Sequence, residues 1–104
     1  MMLRYSPEAR KDIKDLYDYI STDLINPTAA AKITEEILRK CSNLAEFPML
    51  GTDLSEKTGR ETDLRYLVSG RHIAIYRIEE PFVSIIRIID SRMDYMRIIF
   101  ESEK

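Results

Sequence analysis

The chain is poor in the residues that build cofactor and metal sites. It has one cysteine, Cys41, and one histidine, His72, among 104 residues, so neither an internal disulfide nor a zinc-spaced Cys/His set can form. Three glycines, widely separated, leave no glycine-rich phosphate loop. A Ser-His-Asp order of the hydrolase kind is also missing. No apolar run is long enough to span a bilayer, and the start, Met-Met-Leu-Arg-Tyr, lacks a signal-peptide core. A net charge of −2 and a pI near 5.4 argue against nucleic-acid binding by bulk charge, though not against a local basic site. We expect a cytoplasmic protein without membrane contact, metal or cofactor, with the lone thiol in keeping with a reducing compartment.

What remains is an ordinary apolar fraction and a high charged fraction of balanced sign, enough for one domain over residues 1–104. Residues 2–5 form a short segment ahead of a clear helix start. Ser6-Pro7-Glu8 supplies an N-cap, a proline at the first helical position and an acid in the first turn. Ala9, Ile13, Leu16, Tyr17 and Ile20 then recur at helical spacing, with Lys11, Asp12, Lys14, Asp15 and Asp18 opposite them. This helix is expected to end near Leu24. Asn26-Pro27 repeats the start signal, and the second helix runs to about Glu46. Its buried face is Ile33, Ile37, Cys41 and Leu44, flanked by Leu38 and Ala30, and Phe47-Pro48 stops it. So short a connection makes an antiparallel helical hairpin. Residues 48–63 show no period and read as a surface loop.

The last third carries three strands in a meander, turning at Ser69-Gly70-Arg71 and at Glu79-Glu80-Pro81. Alternation sets Ile73, Ile75 and Arg77 against Ala74, Tyr76 and Ile78. It likewise sets Val83, Ile85, Arg87 and Ile89 against Ser84, Ile86, Ile88 and Asp90. Neither face is polar throughout, so the hairpin should cover one face while other chain partly covers the second. Residues 93–100 read as a short helix or an added edge strand. The fold class is α+β: an N-terminal strand and an antiparallel αα-hairpin on an antiparallel sheet, in the order β-α-α-β-β-β with a short C-terminal segment.

Every basic residue from Arg65 to Arg97 is arginine. Its flat fork of donors suits phosphate or carboxylate, so the sheet either holds an anion or pairs with its own acids. Arg65, Arg77 and Arg87 could pair with Asp63, Glu79 or Asp90 across strands, and Arg92 with Asp94. His72, beside a turn, reads as a surface or half-buried strand residue, while Tyr76 and Cys41 read as core.

An ordered set of short segments resembles the RelE/ParE superfamily of toxins from type II toxin–antitoxin systems, the plasmid-stabilisation or addiction modules. The set is Tyr5-Ser-Pro-Glu-Ala9, Phe47-Pro48 with Gly51, Leu64-Arg65-Tyr66, Val68-Ser69-Gly70, Ile75-Tyr76-Arg77-Ile78, Ile86-Arg87-Ile88-Ile89 and Arg92-Met93-Asp94-Tyr95. Three positions depart from it: Asp90 stands where many relatives carry His or Tyr, Met93 replaces a second arginine, and Ile73 replaces an arginine frequent in RNA-cleaving relatives. The resemblance implies growth inhibition neutralised by a cognate antitoxin that lays an amphipathic helix or strand across apolar grooves. It implies one of two targets. Ribosome-dependent mRNA cleavage, a metal-independent endoribonuclease activity, is the leading expectation, and DNA gyrase inhibition by binding is the alternative. An inactive member that only binds its antitoxin is the third reading. For cleavage, Arg65, Arg87 and Arg92 are the candidates for phosphate stabilisation, and Asp90, Asp94 and Tyr95 for proton transfer. Asp90 could serve as a general acid only with a raised pKa, and nearby arginines would lower it.

Overall fold

The computed structural model describes residues 1–93 and 97–98. The elements are β1 (Met2–Tyr5), α1 (Pro7–Asp18), α2 (Pro27–Ser42), β2 (Thr52–Asp53), α3 (Leu54–Thr58), β3 (Arg65–Ser69), β4 (His72–Glu79) and β5 (Phe82–Asp90). Both long helices start as their sequences require. The Ser6 hydroxyl accepts the Ala9 N–H at 3.0 Å, and the Asn26 side chain accepts the Ala29 N–H at 3.1 Å, each followed by proline at the first helical position. The helix containing α1 continues through a wider turn over Tyr19–Asp23, which carries it to Leu24. A single 3-10 turn, Asn43–Ala45, finishes α2.

The sheet has the order β1-β5-β4-β3-β2. The β3-β4-β5 meander is antiparallel, but β1 lies parallel to β5, with Met2 opposite Phe82 and Tyr5 opposite Ile85, so the sheet is mixed rather than wholly antiparallel. The physical reason is the hairpin: α1 carries on in the direction of β1, bringing Asp12 against Ile88, and α2 returns the chain to the end where β1 begins, where the Met1 amine donates to the Ala45 carbonyl, so the meander can set out in the direction of β1. The expected loop over residues 48–63 contains structure of its own. Thr52–Asp53 adds an edge strand to β3, and α3 follows, capped by the Asp53 carboxylate on the Ser55 N–H at 2.8 Å. Leu38, assigned above to the apolar flank of α2, is exposed instead.

Two apolar layers form. On the hairpin side, Ala9, Ile37, Cys41 and Leu44 pack on Ala74, Tyr76, Val83, Ile85 and Ile88. On the other side, Leu54 and Leu64 from the 48–64 connection cover Ile73, Ile75 and Ile89. Each fully buried Leu or Ile contributes about 1.5–3 kcal/mol relative to exposure. The simple alternation along β5 fails at one point. Ile75 faces Arg87, but its neighbour Tyr76 faces Ile85, so Ile86 is an extra residue. That bulge moves Ile88 to the hairpin side with Val83 and Ile85, and leaves Ile86 and Ile89 on the other.

Candidate functional site

A groove of about 620 Å³ opens between the hairpin and the far end of β5. Its helical wall is a stripe of α1 and the turn that extends it, Asp12, Asp15, Leu16, Tyr19 and Ile20, at the spacing of one helix face. Ala29 and Ile33 of α2 face that stripe, and Leu24 closes the hairpin end. The turn before β4 supplies Arg71, and the sheet supplies His72, Arg87 and the run Ile88-Ile89-Asp90. Arg92 and Met93 stand at the mouth. Tyr19, Leu24 and Met93 are exposed, so the apolar lining continues out onto the rim.

The charges in the groove are organised in pairs. Arg87 donates from Nε and Nη2 to the Asp12 carboxylate at 2.8 and 3.1 Å, and the Ile88 N–H donates to the same carboxylate at 2.9 Å. Asp12 thus belongs to the sheet side of α1, not to its solvent face as the charge pattern suggested. It closes β5 where β1 has ended. The hydrogen bonds with Asp12 raise the affinity of Arg87 for its proton, against the cost of partial burial. At the mouth, Asp90 accepts from Arg92 Nε at 3.0 Å, from Arg92 Nη2 at 2.8 Å and from the Arg92 backbone N–H at 2.8 Å. These bonds hold the Asp90 carboxyl well below the usual carboxylate range. His72 lies directly across from Asp90. Burial pushes its imidazole below the ordinary value; Asp90 opposes the shift, and Arg92 and Arg71 add to it. His72 is therefore neutral at pH 7.

Of the residues singled out in the sequence, Arg87, Asp90 and Arg92 share this groove. Arg65 does not reach it. It bonds through Nη2 to the carbonyls of Met49, at 3.2 Å, and Gly51, and so ties down the corner after α2. Arg77 pairs with Asp63 at 3.2 Å, as one of the expected alternatives had it. Arg87 pairs with Asp12 rather than with the acids proposed for it from sequence, and Arg92 pairs with Asp90. Tyr95 and Asp94 lie outside the described residues. Cys41 and Tyr76 are core residues, and His72 is half-buried on its strand, as expected. Asp12, Tyr19, Leu24 and Arg71 were missed as groove residues. Helical spacing could have grouped Asp12 with Leu16 and Tyr19, but nothing local shows that β5 lies against that stripe. Among the described residues, no cluster of three or more His, Cys, Asp or Glu side chains is arranged to hold a metal ion. No described helix is long and apolar enough to cross a membrane.

The model of the family described as "ParE toxin of type II toxin-antitoxin system, parDE" matches residues 3–95. The chain belongs to the ParE toxin family. It is thus a toxin of the type II class, and the wider superfamily resemblance is borne out. Among solved structures, one described as the chromosomal ParDE TA system from P. aeruginosa is similar, with a TM-score of 0.72 and 24% identity over 86% of this chain and 95% of that one. That likeness supports the α+β fold of this ParE toxin. No curated protein matches it.

Proposed function

We propose that this ParE-family toxin arrests growth by binding DNA gyrase, and that its cognate antitoxin neutralises it by occupying the groove between the hairpin and β5. This reverses the order of the two targets expected from sequence. The observation that carries it is the commitment of the groove's acids. RNA cleavage needs a group to take the 2′-hydroxyl proton and another to protonate the leaving oxygen. Neutral His72 offers a base, but Asp90 is held ionised by Arg92, and Asp12 is bonded to Arg87 and to the Ile88 N–H. Neither of these two carboxyls is therefore free to act as the acid. Binding to a protein target requires no such pair, and the match to the ParE branch of the superfamily supports the same choice. The apolar rim of Tyr19, Leu24 and Met93 suits an amphipathic antitoxin segment.

The test is pulse labelling after induction of this chain alone in a bacterial host, with supercoiling by purified gyrase assayed in parallel. DNA synthesis should fall before protein synthesis, and purified toxin should inhibit supercoiling. An early fall in protein synthesis with intact supercoiling would return the reading to mRNA cleavage, with Arg87 and Arg92 holding the phosphate. Unchanged growth would leave a chain that only binds its antitoxin.

A further inference from the structure

We infer that Asp90 is a specificity-determining residue: it occupies the donor edge of Arg92 and so keeps the mouth of the groove from accepting phosphate, and with it RNA. The edge in question is the side-on fork of Nε and Nη2, which sits on the two Asp90 oxygens at 3.0 and 2.8 Å. A phosphate approaching side-on needs those same two donors. The guanidinium is otherwise well placed to receive one, since the Arg92 side chain is 71% exposed. Asp90 is anchored in turn. It accepts the Arg92 backbone N–H, and its own carbonyl accepts the Met93 N–H at 3.0 Å, so carboxylate and arginine are held in one tight turn at the end of β5.

The other cations of the groove show that this position decides the matter. The fork of Arg87 is closed on Asp12 in the same manner, and Asp12 is fixed by α1 and by the Ile88 N–H. Arg71 is exposed and has no ion-pair or hydrogen-bond partner for its side chain among the described residues. One unpaired arginine among paired ones attracts a protein surface carrying scattered acids more readily than a polyanion, whose binding scales with the number of phosphates neutralised. Asp90 therefore turns an arginine-bearing groove into a nearly neutral one. In the cell, the consequence rests on the gyrase-binding reading: Asp90 steers the toxin away from nucleic acid.

Asp90→Asn is the informative change. The amide oxygen still accepts the Arg92 N–H, so the turn is kept while the charge is lost. Binding of a fluorescent single-stranded RNA 12-mer to the full-length toxin is followed by anisotropy from 50 to 200 mM salt. We expect D90N to bind on the order of tenfold tighter than wild type, with a log K against log salt slope steeper by about 0.7 for one added phosphate contact. The double variant D90N/R92A should return to the wild-type affinity and slope. Equal RNA affinity of D90N and wild type would overturn the inference, as would a gain that survives loss of Arg92. If D90N does not fold, Asp90→Ser, whose hydroxyl can also accept the Arg92 N–H, is read by the same criteria. Gyrase inhibition by wild type is scored in parallel. Its absence sinks the gyrase reading, while the D90N-to-wild-type ratio still decides the role of Asp90.

Discussion

Tyr76 and Arg65 face one another across β4 and β3, and both direct their polar ends to the corner after α2. The Tyr76 hydroxyl donates to the Pro48 carbonyl at 2.8 Å and accepts the Gly51 N–H at 2.9 Å, while Arg65 holds the Met49 and Gly51 carbonyls. The fit leaves no room at Gly51: an added Cβ would lie 2.5 Å from the Tyr66 carbonyl oxygen and 2.6 Å from the Tyr76 ring. Tyr76→Phe leaves a buried N–H without its partner and should cost about 1–3 kcal/mol. Gly51→Ala must push backbone and ring apart and should cost about as much. Urea midpoints for both variants check this. A Tyr76→Phe midpoint within error of wild type would show that Gly51 finds another acceptor. The Phe-Pro-x-x-Gly spacing was visible in the chain, but its cause was not, because Tyr76 lies in a strand remote in sequence. Arg65 shows the same limit. Residue type reveals that it will grip oxygen, and only the fold reveals that the oxygen belongs to the backbone.

At the scale of elements, local signals carried far and non-local geometry did not. Ser6-Pro7 and Asn26-Pro27 mark helix starts because the cap and the proline act within one turn, and both caps form as read. The meander was legible because each of its strands is bounded by its own turn. The parallel setting of β1 depends on where the hairpin returns the chain, and the bulge at Ile86 depends on how β5 registers with β4, neither of which leaves a local pattern. The join of α1 to β5 is likewise non-local. β1 stops pairing at Ile85, and beyond it Asp12 stands in for a neighbouring strand by taking the Ile88 N–H. Asp12→Ala therefore removes a strand-edge acceptor and strands the half-buried Arg87 charge. We expect a loss of about 2–4 kcal/mol by urea unfolding. Asp12→Ala/Arg87→Met, which removes the charge as well, should recover part of it. A double variant no more stable than the single one would place the whole loss at the Ile88 N–H.

The groove exists only at the scale of the molecule. It needs the stripe of α1, the facing residues of α2 and the bulged end of β5 together, and none of those carries a signature of the others. The rim is where function separates from folding, because Tyr19 and Leu24 are exposed and their truncation leaves the two apolar layers untouched. Tyr19→Ser/Leu24→Ser should thus shift stability by no more than about 0.5 kcal/mol per site. If the antitoxin lies in the groove, the double variant still arrests growth on induction but is no longer rescued by co-expressed antitoxin, because exposed aromatic and aliphatic anchors carry much of such an interface. Intact rescue would move the antitoxin to another surface. Loss of arrest with unchanged folding would place the target's contact on this rim, and binding of antitoxin to the purified variant would then show whether the two share it.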